Sequence, residues 1–112
     1  MSVKQLSARP NQLLKKLLEQ PSVLVNPHRI AIMLELYYAS ALDFPQLRDD
    51  LEITDGALAR YLKALTDEEL VAESRELVDS RWRTTYMITR KGIMLVEEIL
   101  TILSDINKEL RK

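Results

Sequence analysis

Cysteine is absent and histidine occurs once, so the chain has no disulfide, no thiolate and no nucleophile–base pair built on either residue. A metal site would have to come from clustered carboxylates alone. Glycine is nearly as scarce: Gly56 and Gly92 are the only two in 112 residues, and aromatic side chains make up 5%. No apolar run approaches the roughly 18 residues that cross a bilayer, and the opening MSVKQLSARPNQLLKKLL lacks the uninterrupted apolar stretch of a secretion signal. These absences weigh against an enzyme, a metal sensor and a membrane protein, and they suit the cytoplasm. No catalytic residue, metal ligand or cofactor is expected.

What remains is an ordinary globular composition, 46% hydrophobic and 29% charged, in a length that fits one domain spanning residues 1–112. Pro10 opens a helix expected over 10–20, with leucines at 13, 14, 17 and 18, and Pro21 stops it. Asn26-Pro27, an asparagine cap followed by a first-turn proline, opens the next. That segment, HRIAIMLELYYASAL, has Glu35 as its only charge after Arg29 and is expected to be a central helix enclosed by others.

The densest information lies in FPQLRDDLEITDGALARYLKAL, residues 44–65. Pro45 suits a first helical turn, and Phe44, Leu47 and Leu51 share one face. After a tight turn, Thr54 can cap a second helix, with Ile53 and Leu58 spaced as a hydrophobic staple. Leu58, Leu62 and Leu65 then form its buried stripe, leaving Asp55, Gly56, Ala57, Arg60 and Lys63 facing away. A charged hairpin follows from Leu70 to Ile88, with Asp79-Ser80 at its tip. Its return strand alternates Trp82, Thr84, Tyr86 and Ile88 against Arg83, Thr85 and Met87. Thr89 can cap the last helix, expected over 89–112. Two helices and a tight turn with a hairpin behind them make a winged helix, mainly α with a small β wing, an arrangement that fits the second helix into a DNA groove.

Charge neither supports nor refutes that reading. The net charge is −1, and residues 54–91 hold seven basic and seven acidic side chains. From Arg81 to Lys91, however, there are four basic residues and no acidic one. Affinity for DNA follows charge at the contact surface, not the chain total.

Between Asn26 and Gly92 the chain resembles the winged-helix transcriptional regulators of the MarR/ArsR type, through NPHRIAIM, the 44–65 motif and RTTYMITRKG in that order. The resemblance implies a homodimer that controls transcription from a pseudo-palindromic operator in double-stranded DNA. Carried over by position, the base-reading face falls on Thr54, Asp55, Gly56, Ala57, Arg60, Tyr61 and Lys63, and the wing contacts on Arg81 and Arg83. Two departures stand out. Where such families usually end the recognition helix on glycine, the run DEELV places Glu69, and a left-handed cap strains a residue with a Cβ. The cysteine or histidine clusters of the metal-sensing branch have no counterpart.

Each residue has a plainer reading beside the functional one. Gly56 costs helix stability, or else lets the helix N-terminus approach a phosphate. Arg60 and Lys63 are solvated charges or, given their helix, a guanine reader and a phosphate contact. Asp55 favours the helix dipole but repels phosphate, unless it accepts from a cytosine. Arg81 and Arg83 suit phosphate or the minor groove. Trp82 is expected to pack on the strand face, and His28 to be structural. Tyr37 and Tyr38 either fill the core or line a pocket for an unidentified small-molecule effector.

In the last helix, Leu95, Val96, Ile99, Leu100, Ile102, Leu103, Ile106 and Leu110 span an apolar arc of roughly 160°, wider than the ~100° one core requires. A dimer interface is therefore expected on Leu13, Leu14, Leu17, Leu18, Leu95, Ile99, Ile102, Leu103, Ile106 and Leu110. The main rival is a winged helix used for protein–protein contact, favoured by the acidic run Asp43, Asp49, Asp50, Glu52 and Asp55.

Overall fold

The computed structural model describes residues 8–21 and 25–112. In chain order it has α1 (Ala8–Leu18), α2 (Pro27–Ala39), β1 (Ala41–Asp43), α3 (Phe44–Leu51), α4 (Asp55–Asp67), β2 (Val71–Val78), β3 (Arg81–Ile88) and α5 (Arg90–Leu110). The first helix begins two residues earlier than expected. Proline is tolerated anywhere in a first turn, because its missing N–H would have no helical partner there.

The caps explain most of the boundaries. Asn26 accepts from the backbone N–H of His28 at 2.8 Å and of Arg29 at 3.4 Å. Asp43 and Gln46 exchange bonds at 2.9 and 3.0 Å in a capping box that starts α3. Thr54 accepts from Ala57 N–H at 3.2 Å, and Thr89 from Gly92 N–H at 3.0 Å.

Two expectations for the 28–42 segment need correction. The helix stops at Ala39 instead of running through Leu42, because Ser40 turns to φ 71° and Ala41–Asp43 become a strand. That strand completes an antiparallel sheet in the order β1-β3-β2, pairing Ala41 with Met87 and Asp43 with Thr85. The free edge of β3 needs backbone partners, and this demand outweighs the local helical pattern. Nor is α2 enclosed on all sides. Ile32, Met33 and Leu36 are buried, while Ile30, Leu34, Tyr37 and Tyr38 remain exposed, Tyr38 at 92%.

The core gathers Leu47 from α3, Leu58, Leu62 and Leu65 from α4, Leu70 from the joint after α4, Val71 and Tyr86 from the sheet, and Val96 from α5 around the buried face of α2. Leu58, Leu62 and Leu65 are the stripe read from the 3.6-residue period. Leu13 and Ile102 are buried apart from this cluster, where α1 packs along α5. The molecule is long, 62 × 25 × 21 Å, with a radius of gyration of 17.0 Å. A compact chain of this length would have about 13 Å.

The joint between α4 and the wing is tightly specified. Glu69 takes φ 61°, and the N–H groups of Glu69 and Leu70 bond to Thr66 O and Leu65 O, both at 3.0 Å, closing a Schellman motif. Thr89 Oγ1 donates to Glu69 O at 2.7 Å, and Lys91 Nζ donates to Glu68 O at 2.9 Å. The end of α4 is thereby tied to the start of α5.

Candidate nucleic-acid interface

Helix α4 presents its outer face to solvent along its length. Thr54, Asp55, Gly56, Arg60 and Lys63 are exposed, and Ala57 is half-buried. A Cβ on Gly56 would meet nothing within 4 Å, so the first turn of this helix is open backbone. The unbonded N–H groups of that turn and the positive end of the helix dipole point the same way.

Neighbouring side chains modify several of the expected contacts. Asp55 is held by Arg48 Nη1 of α3 at 3.3 Å, and the same guanidinium holds Asp49 at 2.9 Å. Those two carboxylates push the Arg48 guanidinium further up from its ordinary range. The acidic run beside the motif is thus partly neutralised from within. The part played by Arg48 is not legible in the sequence, since Arg48 and Asp55 lie on different helices and no periodicity links them. Lys63 pairs with Asp67 at 3.1 Å, an exposed pair of little strength that a phosphate can displace.

Tyr61, which the resemblance places on the base-reading face, is less open than Arg60 and Lys63 there. It is half-buried against the core, its ring stacked on His28 at 5.2 Å and 9°. The guanidinium carbons of Arg29 and Arg60 lie 5.9 and 6.0 Å from its centre. These contacts join α4 to the start of α2 and place Arg60 beside the Tyr61 ring.

The wing is an eight-rung ribbon from Val71↔Ile88 to Val78↔Arg81, closed by Asp79 and Ser80 at φ 51° and 65°. Two successive positive φ values make the turn that matches the ribbon's twist. Arg81 is exposed beside this tip. Arg83 is exposed too, but its Nε lies 3.8 Å from Asp43 Oδ2 on β1. Trp82 was expected to pack and does not: it is 65% exposed, with the Arg75 guanidinium 5.2 Å above its ring. The strand alternation has the phase its sequence predicts, but the core ends at Tyr86, and the rungs beyond it have no core to pack on.

The residues expected at a dimer interface divide into three groups. Leu13 and Ile102 are already buried within the chain. Leu17, Leu95, Ile99 and Ile106 are half-buried, Leu95 and Ile99 by packing on the core. Leu14, Leu18, Leu103 and Leu110 are 40%, 83%, 46% and 54% exposed. An apolar groove of about 430 Å³ runs between α1, α2 and α5, lined by Leu17, Leu18, Ile30, Leu34, Leu100 and Leu103 among others. Neither Tyr37 nor Tyr38 lines it, and neither is core; Tyr37 donates to Glu97 Oε2 on α5 at 3.1 Å. That bond and the Glu97 charge raise the Tyr37 phenol. Among the described residues no group of three or more potential metal ligands converges, and no helix is long and apolar enough to cross a membrane.

Residues 28–106 match the family of winged helix DNA-binding domains. Protein MJ0432 of Methanocaldococcus jannaschii is 33% identical over 64 residues, covering 57% of this chain and 70% of that protein. A transcriptional regulator homologue from Pyrococcus horikoshii OT3 superposes with a TM-score of 0.80 at 28% identity, over 88% of this chain and 97% of the other. MepR of Staphylococcus aureus, solved as a DNA complex, superposes at 0.72 over 96% of this chain and 86% of its own, with 21% identity that speaks for the fold alone. With its outward-facing second motif helix, its hairpin wing and a match across most of its length, the chain belongs to the winged helix DNA-binding domain family and has the fold of the MarR-type regulators.

Proposed function

We propose that the protein is a homodimeric transcriptional regulator that reads a pseudo-palindromic operator in duplex DNA. The observation that carries this reading is the outer face of α4, a capped and open first turn followed by Arg60 and Lys63, clear of the rest of the fold. Each subunit inserts α4 into a major groove, with the two helices about 34 Å apart, one turn of DNA. Thr54, Gly56 and Ala57 bring backbone and small side chains against the groove wall, Arg60 reads a base edge, and Lys63 and Arg81 hold phosphates. Asp55 and Arg83 are positioned by Arg48 and Asp43, so their contacts with DNA require those pairs to open. The family and these residues give no basis for catalysis, and the protein works in the cytoplasm where its DNA lies.

Dimerisation is supported by the apolar side chains that α1, α2 and α5 leave uncovered. The groove between them also offers room for a small apolar effector, whose identity no residue specifies. Selection from a fragmented pool of source DNA, followed by anisotropy titration at two salt concentrations, tests the reading. The expected result is recovery of a pseudo-palindrome whose affinity falls steeply with salt. Arg60→Ala should weaken that binding by about 1–3 kcal/mol and relax one base preference. No enrichment and no salt-dependent binding would instead favour a protein-interaction module.

A further inference from the structure

Two large apolar side chains stand bare one rung below the tip of the wing. Leu77 and Trp82 face each other across β2 and β3 and are 61% and 65% exposed. Side chains alternate along a strand, so this rung shares a face with Arg75↔Thr84 and Glu73↔Tyr86, and looks away from the face of Arg81 and Arg83. Followed inward, the same face reaches the recognition helix, because Tyr86 and Glu73 line a hollow of about 450 Å³ with Ala59, Lys63 and Thr66 of α4. The one acidic side chain on this face, Glu73, is engaged by the Tyr86 hydroxyl near the base of the ribbon. Asp79 lies in the turn itself. At the outer end, the charge next to the apolar rung is Arg75, poised over the tryptophan ring.

A large aromatic side chain at the end of a ribbon gains little from its own fold, whereas a duplex offers it both apolar surface and negative charge. We propose that Trp82, backed by Leu77 and accompanied by Arg75, is a minor-groove wedge. On this view, which rests on the DNA-binding reading above, the wing enters the groove adjoining the one occupied by α4. The indole presses against a base step and opens it, kinking the duplex toward its major groove, away from the wing. Arg75 stays beside it, where a narrow groove concentrates negative potential. Flexible pyrimidine–purine steps are the preferred sites, since they cost least to unstack. The wing thereby contributes to sequence preference, through deformability, at positions where no hydrogen bond is made to a base.

Trp82 is the chain's single tryptophan, so its emission reports this contact alone. Intact protein is titrated with a short duplex containing TA steps, following duplex anisotropy, tryptophan emission and duplex end-to-end energy transfer in parallel experiments. The expected result is quenched emission, shielding from acrylamide at saturation, and a shortened end-to-end distance. Trp82→Thr, which keeps a β-branched side chain in the strand, should weaken binding roughly tenfold or more and abolish the bend, while Trp82→Phe retains most of both. Binding with unchanged emission and acrylamide access overturns the wedge and leaves the DNA-binding reading intact. So does a Trp82→Thr variant that melts earlier but binds and bends as before, which would make the rung a hairpin stiffener only. Shielding that appears on concentrating the protein without DNA assigns the face to a second copy instead. Failure of the protein to bind any duplex overturns both readings together.

Discussion

Gly56 and Gly92 both occupy the first turn of a helix, yet their surroundings are opposite. A Cβ on Gly56 would project into open space, whereas one on Gly92 would collide with the Leu70 carbonyl oxygen and lie 2.8 Å from Ile88 Cγ1. Gly56→Ala is therefore expected to stabilise the fold by up to about 1 kcal/mol, the helix-propensity difference, while weakening DNA binding. Gly92→Ala should destabilise it by roughly 1–3 kcal/mol, as overpacking does, and loosen the joint between α4 and α5. Chemical denaturation and anisotropy on the two variants separate stability from binding. A Gly56→Ala protein that binds DNA unchanged would remove the backbone-approach argument. Glu69 presents the converse case. It sits at φ 61°, one of five positive-φ residues among the described residues, none of them glycine, and the left-handed region costs a residue with a Cβ roughly 1–2 kcal/mol. Glu69→Gly should recover about that much in a denaturation experiment, unless added freedom in the unfolded chain offsets it.

Between elements, the contact with the clearest pH signature joins α2 to α3. The Glu35 carboxyl is pushed up to about 7, first by burial, then by its hydrogen bond to Asp50 and the charge of Asp50. An unfolded glutamate titrates near about 4.3. The folded protein therefore holds a proton that the unfolded chain has lost, and this contribution is complete below about pH 4.3 and disappears as pH rises toward about 7. Denaturation midpoints should decline as pH rises from about 4.3 to about 7, and Glu35→Gln, which keeps a donor toward Asp50, should flatten that slope. An unchanged slope in the variant would assign the pH dependence elsewhere. Since α3 carries Arg48, which holds Asp55 at the start of α4, this clip lies one helix away from the recognition surface.

The whole molecule exposes more surface than a chain of its size needs to. Its accessible area is 7839 Å², against about 6,300 Å² for a compact monomer of this length. Bare apolar side chains run along α1, α2 and α5, where Leu14, Leu18, Ile30, Leu34, Leu100 and Leu103 are exposed. Two such surfaces, buried against each other, would also set two copies of α4 at a fixed separation. Leu103→Glu would force a carboxylate into that contact, a change costing several kcal/mol in an apolar interface. Sedimentation is expected to show a dimer for the parent protein and a monomer for the variant, with far-UV helicity retained. A parent protein that sediments as a monomer at micromolar concentration would refute the dimer.

The sequence by itself determined what depends on neighbours along the chain. Helix starts at Asn26, Asp43, Thr54 and Thr89 follow from cap chemistry within three residues, the Leu58–Leu62–Leu65 stripe follows from the helical period, and the wing's phase follows from strand alternation. Tertiary structure decided whatever depends on distant partners. It turned Ala41–Asp43 into a strand because the β3 edge required one, stacked Tyr61 on His28, and neutralised Asp55 through Arg48. It also left Trp82 bare, because the core ends at Tyr86, four rungs short of it. Local rules carry torsional preferences and period, but which side chain meets which across the fold is set by packing, and packing is a property of the assembled chain.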